Sequence, residues 1–188
     1  LVDELVPRDR AQQILRLVEE QLLTPVGLRT LSPHDPRYRA RYEGGVVERD
    51  GAYHQGTVWP FLLGPFVTAW MKAFGQSTVA RNKARSFLAG LEAHLHEACL
   101  GQVSEIFDAQ VPHQPRGCCA QAWSVAEPLR ALIDDLGVIA ETARLKMKTV
   151  IIRRRREPAQ VAELPSQGTD PRQKKDDVDG RAMRDPLP

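Results

Sequence analysis

Over residues 8–23, Ala11, Ile14, Leu15, Val18 and Leu22 recur at three- and four-residue spacing, with Arg16, Glu19 and Glu20 on the other side. The spacing predicts an amphipathic helix. Thr24-Pro25 ends it, because a residue before proline avoids the helical region and the proline cannot continue the hydrogen-bond ladder. From 26 to 55 the breakers Gly27, Ser32-Pro33, Asp35-Pro36, Gly44-Gly45 and Asp50-Gly51 predict one long loop. Residues 59–74 are apolar nearly all round and read as a buried helix, with Pro60 in its first turn and a kink expected at Gly64-Pro65. Ser77 or Thr78 starts a further helix to about Leu100, its stripe being Ala80, Ala84, Phe87, Leu88, Leu91, Leu95 and Ala98, closed by Gly101. A last clear helix is predicted over 120–136, ending at Gly137 and with Pro128 an anomaly near its middle, and residues 138–152 are compatible with a helical continuation. No strand alternation is found, so the expected fold class is all-α, with helices joined alternately by short turns and by long, aromatic-bearing loops.

One such loop carries Glu105 and Asp108, passes Pro112, Pro115 and Gly117, and opens a helix with Gln121 and Trp123. A second gathers Tyr38, Tyr42, Tyr53, His54 and Gln55. Loops that are costly to order and add little core are disproportionately functional.

Charge narrows the class of partner. Residues 1–152 carry 17 charges of each sign and residues 153–188 carry 9 basic against 7 acidic. The body is therefore neutral, and neither a nucleic-acid nor a membrane partner is implied. Residues 153–188 have no aromatic side chain and several prolines, a composition that predicts a disordered tail after a 1–152 domain. Three cysteines, two of them adjacent (Cys118 and Cys119), argue against a disulfide framework and for a reducing, cytoplasmic setting. His94 and His96 fall on different faces of a helix, so no metal site is expected there. Leu1 in place of Met suggests a piece cut from a longer chain.

Thr24-Pro25-Val26-Gly27-Leu28-Arg29-Thr30-Leu31-Ser32-Pro33, Tyr53-His54-Gln55-Gly56-Thr57-Val58-Trp59-Pro60, Ser104-Glu105-Ile106-Phe107-Asp108 and Pro115-Arg116-Gly117-Cys118 with Ala120-Gln121-Ala122-Trp123-Ser124 follow one another in order. Together they resemble the C-terminal domain of glycogen debranching enzymes of the bacterial and archaeal style, over about residues 1–136. The resemblance implies an (α/α)6 toroid, of which this chain would be the last third. It also implies an amylo-α-1,6-glucosidase that hydrolyses the glucose left at a branch point with inversion, uses no cofactor, and acts on glycogen or limit dextrin. By that resemblance Glu105 maps to the general base of the family. The general acid, an aspartate in an upstream motif, would lie in a missing N-terminal part of the same barrel. Phe61 stands where the family commonly has a second tryptophan.

Inverting hydrolysis needs one protonated carboxyl and one carboxylate about 6.5–9.5 Å apart, with a water between. Glu105 can supply one; Asp108 is either a second functional carboxylate or a turn residue holding the loop. Tyr53, His54, Gln55 and Trp59 suit a hexose, with flat rings on its apolar face and polar groups on its hydroxyls, although Trp59 can equally be core. Arg116 either orients Glu105 or pins the loop, and Gln121 and Trp123 are expected in the site wall. A non-catalytic carbohydrate-binding or assembly module, with the same loops but no acid, is the alternative function.

Overall fold

The structure is a computed structural model and describes residues 5–138. Beyond Val138, the expected helical continuation and the expected disordered tail lie outside the described residues.

Helix α1 (Arg8–Gln21) buries Leu15 and rests Ala11 and Val18 on the core, as its stripe predicts. It stops before the predicted end because Leu23–Thr24 leave as strand β1, which turns at Pro25-Val26 into β2 (Gly27–Arg29). Thr24 fastens this hairpin: its hydroxyl donates to the Gly27 carbonyl at 2.9 Å and accepts from the Val26 N–H at 3.3 Å.

The absence of strands is the expectation that fails. β1 and β2 are joined by β3 (Val58–Trp59), β4 (Ile106–Phe107) and β5 (Pro115–Arg116) in one antiparallel sheet ordered β1-β2-β3-β4-β5. Leu28 faces Trp59, Val58 faces Phe107, and Ile106 faces Arg116. Strands of two or three residues are too short to show a period of two. Moreover, both residues of β3 and both of β4 are buried, so no alternation exists to be read. The fold is helix-rich with a small sheet, and is not all-α.

The 26–55 stretch is likewise not structureless, since it contains β2 and a helix α2 (Val46–Ala52) with Gly45 at its N-cap. Gly44-Gly45 precedes a helix and does not merely break the chain. The apolar run 59–74 divides into β3, a 3₁₀ turn (Pro60–Leu62) and helix α3 (Leu63–Phe74). Pro65 therefore falls in the first turn of α3, where its missing N–H has no intrahelical partner to lose and no kink is required.

α3 is the centre of the core, with Leu63, Val67 and Met71 buried and the Phe66, Trp70 and Phe87 rings in mutual contact at 5.0–6.1 Å. The single helix predicted over 77–100 is two: α4 (Thr78–Ser86), capped by the Ser77 hydroxyl, and α5 (Ala89–His94). Phe87 and Leu88 are buried at the break. The chain after His94 closes into turns, with the Gly101 N–H on the Leu95 carbonyl at 2.8 Å.

Helix α6 (Ala122–Arg130) meets α3 where Gly64 lies against Glu127; a side-chain carbon at Gly64 would sit 2.9 Å from the Glu127 carbonyl oxygen. Pro128 cannot donate to the preceding turn, and the helix passes into a π-helical turn (Ala131–Asp135), closed by Leu136 N–H on the Ala131 carbonyl at 3.0 Å. Thr68 and Arg130 both reach Asp135 there, at 2.7 and 3.1 Å, and tie α3 to α6.

Candidate active site

The sheet places the carboxylate. β4 pairs with β5, and the ladder continues through the Glu105 N–H on the Cys118 carbonyl at 2.9 Å, which sets Glu105 opposite 117–118. Gly117 adopts φ 68°, and a side-chain carbon there would lie 3.0 Å from Glu105 Cβ and 3.1 Å from its carboxyl carbon. The Glu105 side chain occupies that space. Its Oε2 accepts from the Cys118 N–H at 3.0 Å, and its Oε1 accepts from the Tyr53 hydroxyl and from Gln121 Nε2 at 3.4 Å. Both oxygens of a half-buried carboxylate thus face donors.

Gly117→Ala is expected to act on both features. The left-handed backbone alone costs about 1–2 kcal/mol for a residue with a side chain, and the added carbon displaces the carboxylate. Urea unfolding measures the first effect; the chemical shift of a labelled Glu105 carboxyl carbon measures the second.

The residues before Glu105 are held from behind. Val103 accepts from the Gln121 N–H at 3.0 Å, and the Ser104 N–H donates to Nε2 of the buried His94 at 3.2 Å. Since Nε2 accepts, His94 Nδ1 carries the proton and donates to Glu97 at 3.1 Å. His94 is thus engaged on both nitrogens, and its ring stands edge-on to Phe107 at 4.7 Å.

Asp108 is buried and committed. Its Oδ2 accepts from Arg116 Nε and Nη2 at 3.1 and 2.9 Å, and its Oδ1 from the Tyr42 N–H at 2.8 Å. The Asp108 carboxylate raises the Arg116 pKa. Arg116 therefore faces Asp108, with Glu43 also near at 3.9 Å, and does not reach Glu105. The pair joins the 103–118 loop to the strand-free segment around Tyr42.

An aromatic cluster reaches the carboxylate through Tyr53. Tyr53 contacts Tyr42, His54 and Trp59 at 5.8, 4.7 and 4.9 Å. Trp59 is buried, its Nε1 donating to the Tyr53 carbonyl at 3.1 Å, and the exposed His54 ring stacks on it at 5.2 Å. Trp123 is 47% exposed, stacks on Phe61 at 5.1 Å and touches Trp59 at 6.0 Å. The structure thus brings Glu105, Tyr53, His54, Trp59, Gln121 and Trp123 to one place. Gln55 joins the surrounding loop through its backbone, which bonds Arg39 and Ala52. Phe61 and Tyr42 belong to the cluster as well. The first lies inside an apolar run and is marked in sequence only by the family resemblance, and the second only by the aromatic density of its loop.

The Tyr53 hydroxyl is held protonated: burial first, then the hydrogen bond to Glu105, raises its pKa well above the ordinary phenol value. An unfolded tyrosine loses its proton near pH 10, so above about pH 10 the unfolded chain binds fewer protons than the folded one and stability falls as pH rises. The contribution is complete below that pH. The urea midpoint of the unaltered chain should fall more steeply above pH 10 than that of Tyr53→Phe, and parallel slopes would refute the assignment.

A hydrogen-bonded carboxylate beside exposed aromatic faces is an arrangement found where sugars are bound and hydrolysed. A family model described as amylo-alpha-1,6-glucosidase matches residues 1–130, and the chain belongs to that family. It is also similar to the glycogen debranching enzyme of Saccharomyces cerevisiae, 38% identical over 73 residues. That stretch covers 36% of this chain and 5% of the yeast enzyme. Among the described residues no helix is long and apolar enough to cross a membrane.

Proposed function

We propose that this chain supplies the general-base side of an inverting α-1,6-glucosidase site acting at the branch points of glycogen or a limit dextrin. The observation that carries the reading is the Glu105 carboxylate, aimed by Tyr53, the Cys118 N–H and Gln121 beside the Trp123–Phe61 and His54–Trp59 stacks. Glu105 takes a proton from the attacking water, and the exposed ring faces receive the apolar face of a hexose. Fixed donors on both of its oxygens keep the carboxylate in one orientation while it does so. Asp108 is held by Arg116 and Tyr42, which supports a general acid from outside the described residues, the upstream aspartate that the resemblance implies. In this reading the helices belong to part of an (α/α)6 toroid of the bacterial and archaeal style, completed by the N-terminal part of the same barrel, in the cytoplasm and without a cofactor. Residues 1–152 form the barrel portion and 153–188 an appended tail.

The test is to express this chain joined to the upstream part of a debranching enzyme of the family and to assay glucose release from a branched limit dextrin by NMR. The β-anomer of glucose as first product supports the reading. Binding of the dextrin without release of glucose favours the carbohydrate-binding module, and neither binding nor release refutes both.

A further inference from the structure

The buried His94 imidazole takes no part in the chemistry given to Glu105. It ends helix α5, whose Leu91 lies in the hydrophobic core, and the turns closed by the Gly101 N–H on the Leu95 carbonyl at 2.8 Å bring the chain back to it. Its Nε2 accepts from the Ser104 N–H at 3.2 Å. The carbonyl of the same peptide unit, that of Val103, accepts from the Gln121 N–H at 3.0 Å. A peptide unit is planar, so a bond at each end fixes its rotation. The next unit donates the Glu105 N–H to the Cys118 carbonyl at 2.9 Å, and the Glu105 side chain starts from there. Two of these three bonds reach 118–121, where Cys118, Cys119 and Ala120 are exposed; the third ties the segment to the core.

We propose that His94, with its tautomer set by Glu97, is a positioning residue for Glu105: it fixes the Val103–Ser104 peptide, and with it the direction in which the carboxylate leaves the chain. Two N–H groups cannot bond to each other, so the ring serves only as the neutral tautomer with a bare Nε2. Glu97 Oε2 selects that tautomer by accepting from Nδ1 at 3.1 Å, and the Phe107 ring, edge-on at 4.7 Å, packs against the imidazole. Glu97 is 61% exposed, so the tautomer can be altered from the surface without opening the core. The effect of His94 on hydrolysis rests on the general-base reading of Glu105; its effect on the aim of the carboxylate does not.

Two NMR measurements on the full 188-residue chain, isotope-labelled, decide the positioning. The first reads the scalar coupling across the hydrogen bond between the Ser104 amide nitrogen and His94 Nε2; a coupling and a protonated Nδ1 are expected, and a proton on Nε2 or no coupling overturns the proposal. The second reads the carbon resonance of the Glu105 carboxyl group. His94→Leu is expected to shift it, and His94→Gln, whose side-chain oxygen can take the place of Nε2, to restore it; an unmoved resonance in folded His94→Leu overturns the proposal. Should His94→Leu fail to fold, Glu97→Leu takes its place: releasing Nδ1 is expected to weaken the coupling and shift the same resonance, and no change in either overturns the proposal. In a chain completed to an active debranching enzyme, His94→Leu should lower kcat about 10–100-fold, the scale of about 1 Å of misplacement. KM should stay within about twofold, and His94→Gln should recover most of the loss. A loss carried by KM alone, or none, would overturn the link to hydrolysis. Full turnover in Glu105→Gln instead refutes the general-base reading and leaves the NMR result standing.

Discussion

Replacing Glu105 by Gln, in a chain completed to an active debranching enzyme, is expected to lower kcat by about 10²–10⁴-fold, the range for losing a general base, while dextrin still binds. The amide cannot take a proton from water. It also cannot reproduce the hydrogen bonds, because both oxygens of Glu105 face donors. The –NH₂ group is accommodated most cheaply opposite the single Cys118 N–H, leaving the oxygen for Tyr53 and Gln121, at a stability cost of about 1 kcal/mol. The ring faces are untouched, so affinity measured by calorimetry should stay within about threefold. Retained turnover would remove Glu105 from the base role. Lost affinity with normal kcat would make it a binding group.

The second large effect is expected on stability. Arg116→Met keeps the length of the side chain but leaves the Asp108 carboxylate, 5% exposed, without its cation. Breaking a buried pair from one side costs about 3–5 kcal/mol. Arg116 itself is 32% exposed, so water reaches part of the pair and about 2–3 kcal/mol is expected here. Asp108→Asn in the Arg116→Met background should recover part of the loss, since an uncharged amide can still accept from the Tyr42 N–H. Urea midpoints of the single and double variants decide it. A loss below about 0.5 kcal/mol, the scatter of ordinary surface changes, would mean that the pair does not hold the loops.

The parts of the fold that were legible in sequence share a physical reason. α1 and α4 declare themselves through stripes of apolar side chains that repeat over successive turns, and α3 through a run that is apolar nearly all round. Glu105 and its neighbours declare themselves through a long motif whose residue order resembles a known family. What was hidden depends on contacts distant in sequence. The five short strands have no internal period, and each exists because another stretch offers it a partner. The break at Phe87-Leu88 cannot be seen in a stripe that continues unbroken across it. The order of residues leaves Arg116 open between orienting Glu105 and pinning the loop, and only the β4–β5 register, which sets it opposite Ile106 and within reach of Asp108, separates the two. Pro128 was visible as a helix interruption, but the π-helical turn after it was not.

The sheet also bears on how the molecule comes to be. Its β3–β4 rung joins Val58 to Phe107, and the β2–β3 rung joins Leu28 to Trp59. By contrast, α3 and α4 meet through a short turn. Closing a loop of about fifty residues before any contact rewards it is slow compared with docking neighbouring helices. The helical core should therefore dominate the folding transition state and the strand rungs should form after it. Changes at Phe66, Trp70 or Phe87 then slow folding, whereas changes in the rungs that aim Glu105 chiefly shorten the lifetime of the folded chain. The chemistry would thus rest on the last part of the molecule to assemble and the first to come apart.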